Sequence, residues 1–480
     1  MNKPLLLSAL LAPAFTGATA QDIGNFQRER ERMINDYNSF RNDIISRYSQ
    51  FLGEAWNDYK AFRGEKQFPD KKPSTPVTAP DKDTDEKPEN ITPQVIVPKE
   101  PEPDKDPRGE NTPITIDPFS EKVDFQFYGI GMKATKVNVP RLASVSEKDI
   151  SQCWAKMQED RIYEKVVPSL KLLVRGGELS DWLTFVLVRK YADSLCQGDA
   201  NTSIVLSHYL LVNMGYDIRL GRSGNEMLLL VATRQMVYLR RFLEIDGRKY
   251  FIFFKETEFK EREIGGVSTC AIPSGTDLGK PINLVTSAPQ LRSGKSISFD
   301  ANAGGISVKG TIDEVVKRIA ADFPQADIPV YAASSLSVSF RKNLLEQVGE
   351  QVKGMSQADA ANAILRFVQL AFKYKTDNEQ FGTEKYFFAE ENFIYPANDC
   401  EDRAILFAYL IRNILHLDVH LIQYPNHEST AVAFTEKGID GDGYSYKGKR
   451  YIICDPTYMM ASIGQCMPQF KDVKPKVQIW

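Results

Sequence analysis

Two stretches of this 480-residue chain repeat each other at an offset of about 200 residues. Asp199, Leu206, Tyr209, Leu210 and Asn213 recur as Asp399, Leu406, Tyr409, Leu410 and Asn413. Both runs carry apolar residues at helical spacing. Further on, Tyr216-Asp217-Ile218-Arg219-Leu220 is matched by Leu417-Asp418-Val419-His420-Leu421. Gly247-Arg248-Lys249-Tyr250-Phe251-Ile252 is matched by Gly448-Lys449-Arg450-Tyr451-Ile452-Ile453. A helix followed by strands, kept in order over about sixty residues, predicts two copies of one α+β unit. Each would pack a helix on an antiparallel sheet. Val123-Asp124-Phe125 and Ile297-Ser298-Phe299, the latter ahead of Gly304-Gly305, suggest a shared beginning. The units are placed at 119–262 and 295–480, with 263–294 as a connector.

The rest of the chain reads differently. Of 26 Pro, 12 fall within residues 67–118, among Asp, Glu, Lys and Thr. Such a stretch buries too little apolar surface to offset its chain entropy, so a disordered linker is expected. Residues 21–66 hold one long amphipathic helix, with Phe26, Met33, Tyr37, Phe40, Ile44, Tyr48 and Phe51 on an apolar stripe. That stripe suits self-association through 24–64 or packing on its own domain. Residues 1–20 resemble a secretory signal: Lys3, an apolar run from Leu5 to Phe15, then Ala18-Thr19-Ala20. No Cys stands at the cleavage point, so a secreted or periplasmic protein without a lipid anchor is expected. No later run is long and apolar enough to span a membrane.

Charge and composition exclude several classes. Net charge is -3, with 26% charged and 42% hydrophobic residues, and no basic stripe points to nucleic acid. The four His and six Cys have no zinc spacing, and no metal or cofactor is expected. Export permits disulfides, but no pairing follows from the spacing.

Chemistry concentrates in the second copy. Cys400 opens a helix in Asn398-Asp399-Cys400-Glu401-Asp402-Arg403-Ala404. The helix dipole and free N–H groups there favour a thiolate, while the flanking acids oppose it. His427 begins a strand in Asn426-His427-Glu428-Ser429-Thr430-Ala431-Val432, and Asp455 ends another in Ile453-Cys454-Asp455-Pro456-Thr457. A thiol, an imidazole and a carboxylate in this order make a nucleophile, a base and the acid that orients it. Cys454 should face the other side of its strand, and His208, His416 and His420 read as structural.

Residues Asp399-Cys400-Glu401-Asp402, His427 and Asp455-Pro456-Thr457 resemble the transglutaminase-like superfamily of papain-type cysteine enzymes. Thr376 to Tyr386 resembles its exported bacterial branch. The likeness covers about residues 360–458. It departs after the His, where Glu428-Ser429-Thr430 replaces the family's aromatic residue. The resemblance implies two papain-type domains and a thioester on Cys400, with Gln380 as a candidate oxyanion donor beside the Cys400 N–H. It implies a cysteine peptidase or amidase acting on protein or peptide amides. Transfer to an amine, as in a cross-linking transglutaminase, and a non-catalytic envelope scaffold are the alternatives. The first copy has Ala200 for Cys400, Asn225 or Glu226 for His427, and Phe254 for Asp455. It is expected to be non-catalytic.

Overall fold

Strands and helices follow the repeat in the computed structural model, which describes residues 94–96, 120–238, 240–253, 266–269 and 278–479. These residues lie within one compact unit, Pro69–Trp480. The signal segment, the 21–66 helix and Phe254 lie outside the described residues. So does the linker, apart from strand β1 (Gln94–Ile96).

The first half opens with a hairpin, β2 (Lys122–Phe127) and β3 (Ile130–Thr135). Four helices follow: α1 (Glu147–Glu159), α2 (Ile162–Gly177), α3 (Asp181–Cys196) and α4 (Ala200–Asn213). Then come β4 (Ile218–Ser223), β5 (Glu226–Ala232), β6 (Phe242–Ile245), β7 (Arg248–Phe253) and β8 (Ser268–Thr269). They form a sheet in the order β6-β7-β5-β4-β8. The stretch read as a connector therefore supplies an edge strand to this sheet.

The second half also opens with a hairpin, β9 (Ser296–Ala303) and β10 (Ile306–Asp313). Helices α5 (Glu314–Asp322), α6 (Ile328–Ala333), α7 (Val338–Val352) and α8 (Gln357–Ala371) follow. Short β11 (Lys373–Tyr374), α9 (Asp377–Gln380) and β12 (Ala397–Asn398) lead into α10 (Cys400–Leu410), which runs on as a π-turn through Leu415. Strands β13 (Asp418–Tyr424), β14 (His427–Ala433), β15 (Gly443–Tyr446), β16 (Lys449–Cys454) and β17 (Lys476–Gln478) complete a sheet ordered β1-β17-β13-β14-β16-β15. Apart from β1, which pairs parallel with β17, this is the order of the first sheet.

The likeness of the halves extends to turns and single contacts. Tyr128-Gly129, Asp246-Gly247, Gly304-Gly305 and Lys447-Gly448 each place two successive residues at positive φ. That backbone joins two strands with the twist they need, and glycine adopts it without a Cβ penalty. Asn213 donates its side-chain N–H to Tyr209 O at 2.8 Å, and Asn413 does the same to Tyr409 O at 2.8 Å. Arg248 pairs with Asp217, as Lys449 does with Asp418. The Arg219 guanidinium lies over Tyr250, where His420 stacks on Tyr451.

One apolar core runs through both halves. Phe323 joins them, with ring centroids 6.1 Å from Trp182 and 4.9 Å from Phe388. A smaller core, with Tyr424, Tyr451, Ile453, Tyr458, Met467 and Phe470, lies between the second sheet and the chain after Asp455. Among the described residues no helix is long and apolar enough to cross a membrane. The mixed helix-and-antiparallel-sheet architecture matches the α+β expectation.

Candidate active site

His427 takes its place from a tight turn. Asn426 has φ 60°, a conformation Asn tolerates, and lets Tyr424 pair directly with His427 in the β13–β14 hairpin. Its ring is buried, and Nε2 lies 2.7 Å from Asp455 Oδ2. Asp455 follows β16, and its Oδ1 accepts N–H bonds from Thr457 (2.9 Å) and Tyr458 (3.1 Å). The carboxylate is thus held on one side by backbone donors and offers its other oxygen to the imidazole. Nδ1 of His427 is buried and has no hydrogen-bond partner among the described residues. A neutral imidazole protonated at Nε2 keeps Nδ1 as a proton acceptor, as a base for a thiol requires.

Phe470 closes over the imidazole. Its ring stacks on the His427 imidazole at 5.2 Å and 3°, and on Tyr424 at 4.6 Å. Nothing in the local pattern around Phe470 signals this role, because the contact joins residues 43 positions apart.

Cys400 is the first residue of α10, which packs against β14. It is 1% exposed. The thiol donates to Glu401 Oε2 at 3.0 Å instead of to His427. The structure therefore assembles His427 with Asp455 and leaves the thiol turned towards its neighbour. Glu401, read from sequence only as an opposing charge, is the observed acceptor.

Gln380 lies beside the strand leading into Cys400. Its Nε2 donates to Ala397 O at 3.1 Å, and its Oε1 is buried with no partner among the described residues. One N–H of the amide is thus already engaged three residues upstream of the thiol.

The turn bearing Cys400 rests on buried polar groups. Arg403, 1% exposed, donates from Nε to Asn398 Oδ1 (2.8 Å) and from Nη2 to Phe372 O (2.8 Å). Asn398 in turn donates to Asn392 Oδ1 at 2.6 Å. Burial pulls the Arg403 guanidinium down to about 10. Asp377, Asp399 and Asp402 bring carboxylate oxygens within 4.8 Å of one another. Backbone N–H groups donate into this set: Lys385 to Asp377 (2.7 Å), Asp377 to Asp399 (3.2 Å), and Phe387 (2.9 Å) and Asp399 (3.3 Å) to Asp402. Burial, and then the nearby Glu401 charge, push Asp402 up to about 8. These carboxylates knit the approach to α10 together.

Five Cys are described, and all are free, buried thiols. Burial raises Cys153 to about 11, Cys196 and Cys466 to about 12, and Cys454 further still. These four are poor nucleophiles near neutral pH. In the first half Ala200 opens α4, and Ser223 pairs with Glu226 where Tyr424 pairs with His427. Glu226 is thus the counterpart of His427.

No family model, no curated protein and no solved structure matches this chain.

Proposed function

We propose that this chain is an exported thiol enzyme of transglutaminase-like type, most simply a peptidase or amidase. The observation that carries the reading is the buried His427–Asp455 pair at 2.7 Å with Nδ1 left open as an acceptor. Evolved cores rarely leave a buried ring nitrogen without a partner unless it has a task. In the reaction the Cys400 thiol turns from Glu401 and gives its proton to His427 Nδ1. The thiolate attacks the amide carbonyl carbon, and backbone N–H groups at the start of α10 stabilise the oxyanion. His427 then protonates the leaving amine, which departs as a thioester forms. Water, deprotonated by the same imidazole, attacks the thioester and releases acid and thiol. Asp455 holds the imidazole and stabilises its charged form.

We read the first half as a duplicated copy that has lost the chemistry, since Ala200 and Glu226 cannot serve as nucleophile and imidazole base.

The scaffold reading draws on a different observation: Cys400 is sealed and its thiol is satisfied by Glu401. Iodoacetamide labelling near neutral pH separates the two. The enzyme reading expects Cys400 to label well before Cys153, Cys196, Cys454 and Cys466. It also expects Cys400→Ala to abolish hydrolysis of peptide amides. Labelling of Cys400 no faster than these four, or full activity in the Ala variant, would refute it.

A further inference from the structure

Gln369 lies near the end of α8 and is fully buried. Its Nε2 faces three backbone carbonyls: Asp455 (3.2 Å), Tyr458 (2.8 Å) and Ala461 (3.1 Å). Three acceptors on one side fix which end of the amide is the nitrogen. Its Oε1 accepts from Arg366 Nη1 at 3.3 Å. The backbone carbonyl of the same residue accepts from Arg403 Nη1 at 3.4 Å, and Arg403 sits in the first turn of α10. One residue thus touches both the loop that begins at Asp455 and the helix that begins at Cys400.

The Asp455–Ala461 segment belongs to no named helix or strand, so its shape needs side-chain support. Asp455 Oδ1 organises its first turn through the Thr457 and Tyr458 N–H groups. Gln369 gathers its carbonyls from the other side. A buried amide costs free energy unless its bonds are made, so an apolar side chain would fill this position more simply. We infer that Gln369 is a positioning residue that sets the Asp455 carboxylate against His427. The inference rests on the thiol-enzyme reading for its functional meaning, but its geometry can be tested alone.

The test uses the full chain labelled with 15N-histidine, which contains only four His. The wild-type protein should show a downfield Nε2–H resonance for His427 that Asp455→Asn shifts or abolishes. Gln369→Met removes the donors at similar volume and should move that resonance in the same sense. Cys400 alkylation should slow roughly tenfold, as when a supporting shell is removed. Gln369→Asn keeps the amide on a shorter arm and should move the resonance part of the way; it also serves if the Met variant does not fold. Lowered thermal stability with an unmoved resonance in both variants would assign Gln369 to packing and overturn the inference. Slow alkylation of Cys400 in the wild type, with the resonance still responsive, would sink the enzyme reading and leave the positioning role standing.

Discussion

His427 Nε2 bonds Asp455 Oδ2 at 2.7 Å, while Nδ1 of the same ring has no partner among the described residues. In the proposed reaction the two nitrogens have separate duties: one fixes orientation and tautomer, and the other takes the thiol proton. Asp455→Asn keeps the shape but replaces an anion with an amide. Its effect should be large, about a thousandfold loss of Cys400-dependent hydrolysis, because the imidazolium loses its counter-charge and the tautomer is scrambled. Steady-state rates on a peptide amide would decide this, and a loss below tenfold would contradict it.

Glu401 accepts the Cys400 thiol proton at 3.0 Å. An anion in that position favours thiol over thiolate. Glu401→Gln removes the charge and keeps the size, so alkylation of Cys400 should quicken by about tenfold, the effect of roughly one unit in thiol acidity. Slower labelling would show that Glu401 assists the nucleophile.

Arg403 is fully buried and donates to Asn398, Phe372 and Gln369. Arg403→Met fills much of the space but leaves those acceptors without their donors. The expected loss is about 3 kcal/mol in urea unfolding, in the range seen when a buried charged group's partners are stranded. A change under about 0.5 kcal/mol would mean that water replaces the guanidinium freely.

Asp402 carries a pH signature. Burial, and then Glu401, raise it to about 8 in the folded chain, against about 3.9 for an ordinary Asp. Between those values the folded state holds a proton that the unfolded state has released. Its contribution to stability is therefore fully present below about pH 3.9 and is lost as pH rises through about 8. Asp402→Asn cannot titrate. The difference in unfolding free energy, variant minus wild type, should climb across that window and flatten above it. A difference independent of pH would contradict the buried, protonated carboxyl.

The non-catalytic reading of the first half is open to a gain-of-thiol test. Ala200→Cys in a Cys400→Ala background puts a thiol at the start of α4, opposite a hairpin that offers Glu226 in place of His427. It should label no faster than Cys153. Rapid labelling would mean that the helix start alone activates the thiol.

Much of this architecture was legible from local chemistry. The repeat marked matching helices and hairpins because turn geometry and amphipathic periodicity are written in neighbouring residues. Asp246-Gly247 and Lys447-Gly448 are such cases. Cys400 at a helix start, His427 at a strand start and Asp455 just after a strand end were legible in the same way, since these are local positions. The edge of the first sheet was not legible: β8 lies within 263–294, and two residues of strand leave almost no periodic signal. Gln94–Ile96, inside the Pro-rich stretch, forms a strand only by pairing with Lys476–Gln478 near the other end of the chain.

What the sequence by itself determined was the inventory of reactive groups and the order in which the chain presents them. The tertiary structure decided which of them meet. Packing brought Asp455 to His427, laid Phe470 over the imidazole, turned the Cys400 thiol to Glu401, and ran Gln369 between the loop that begins at Asp455 and the helix that begins at Cys400. Most of these contacts join residues tens of positions apart. They exist only once burial has made an unpaired polar group costly enough for each to find its partner.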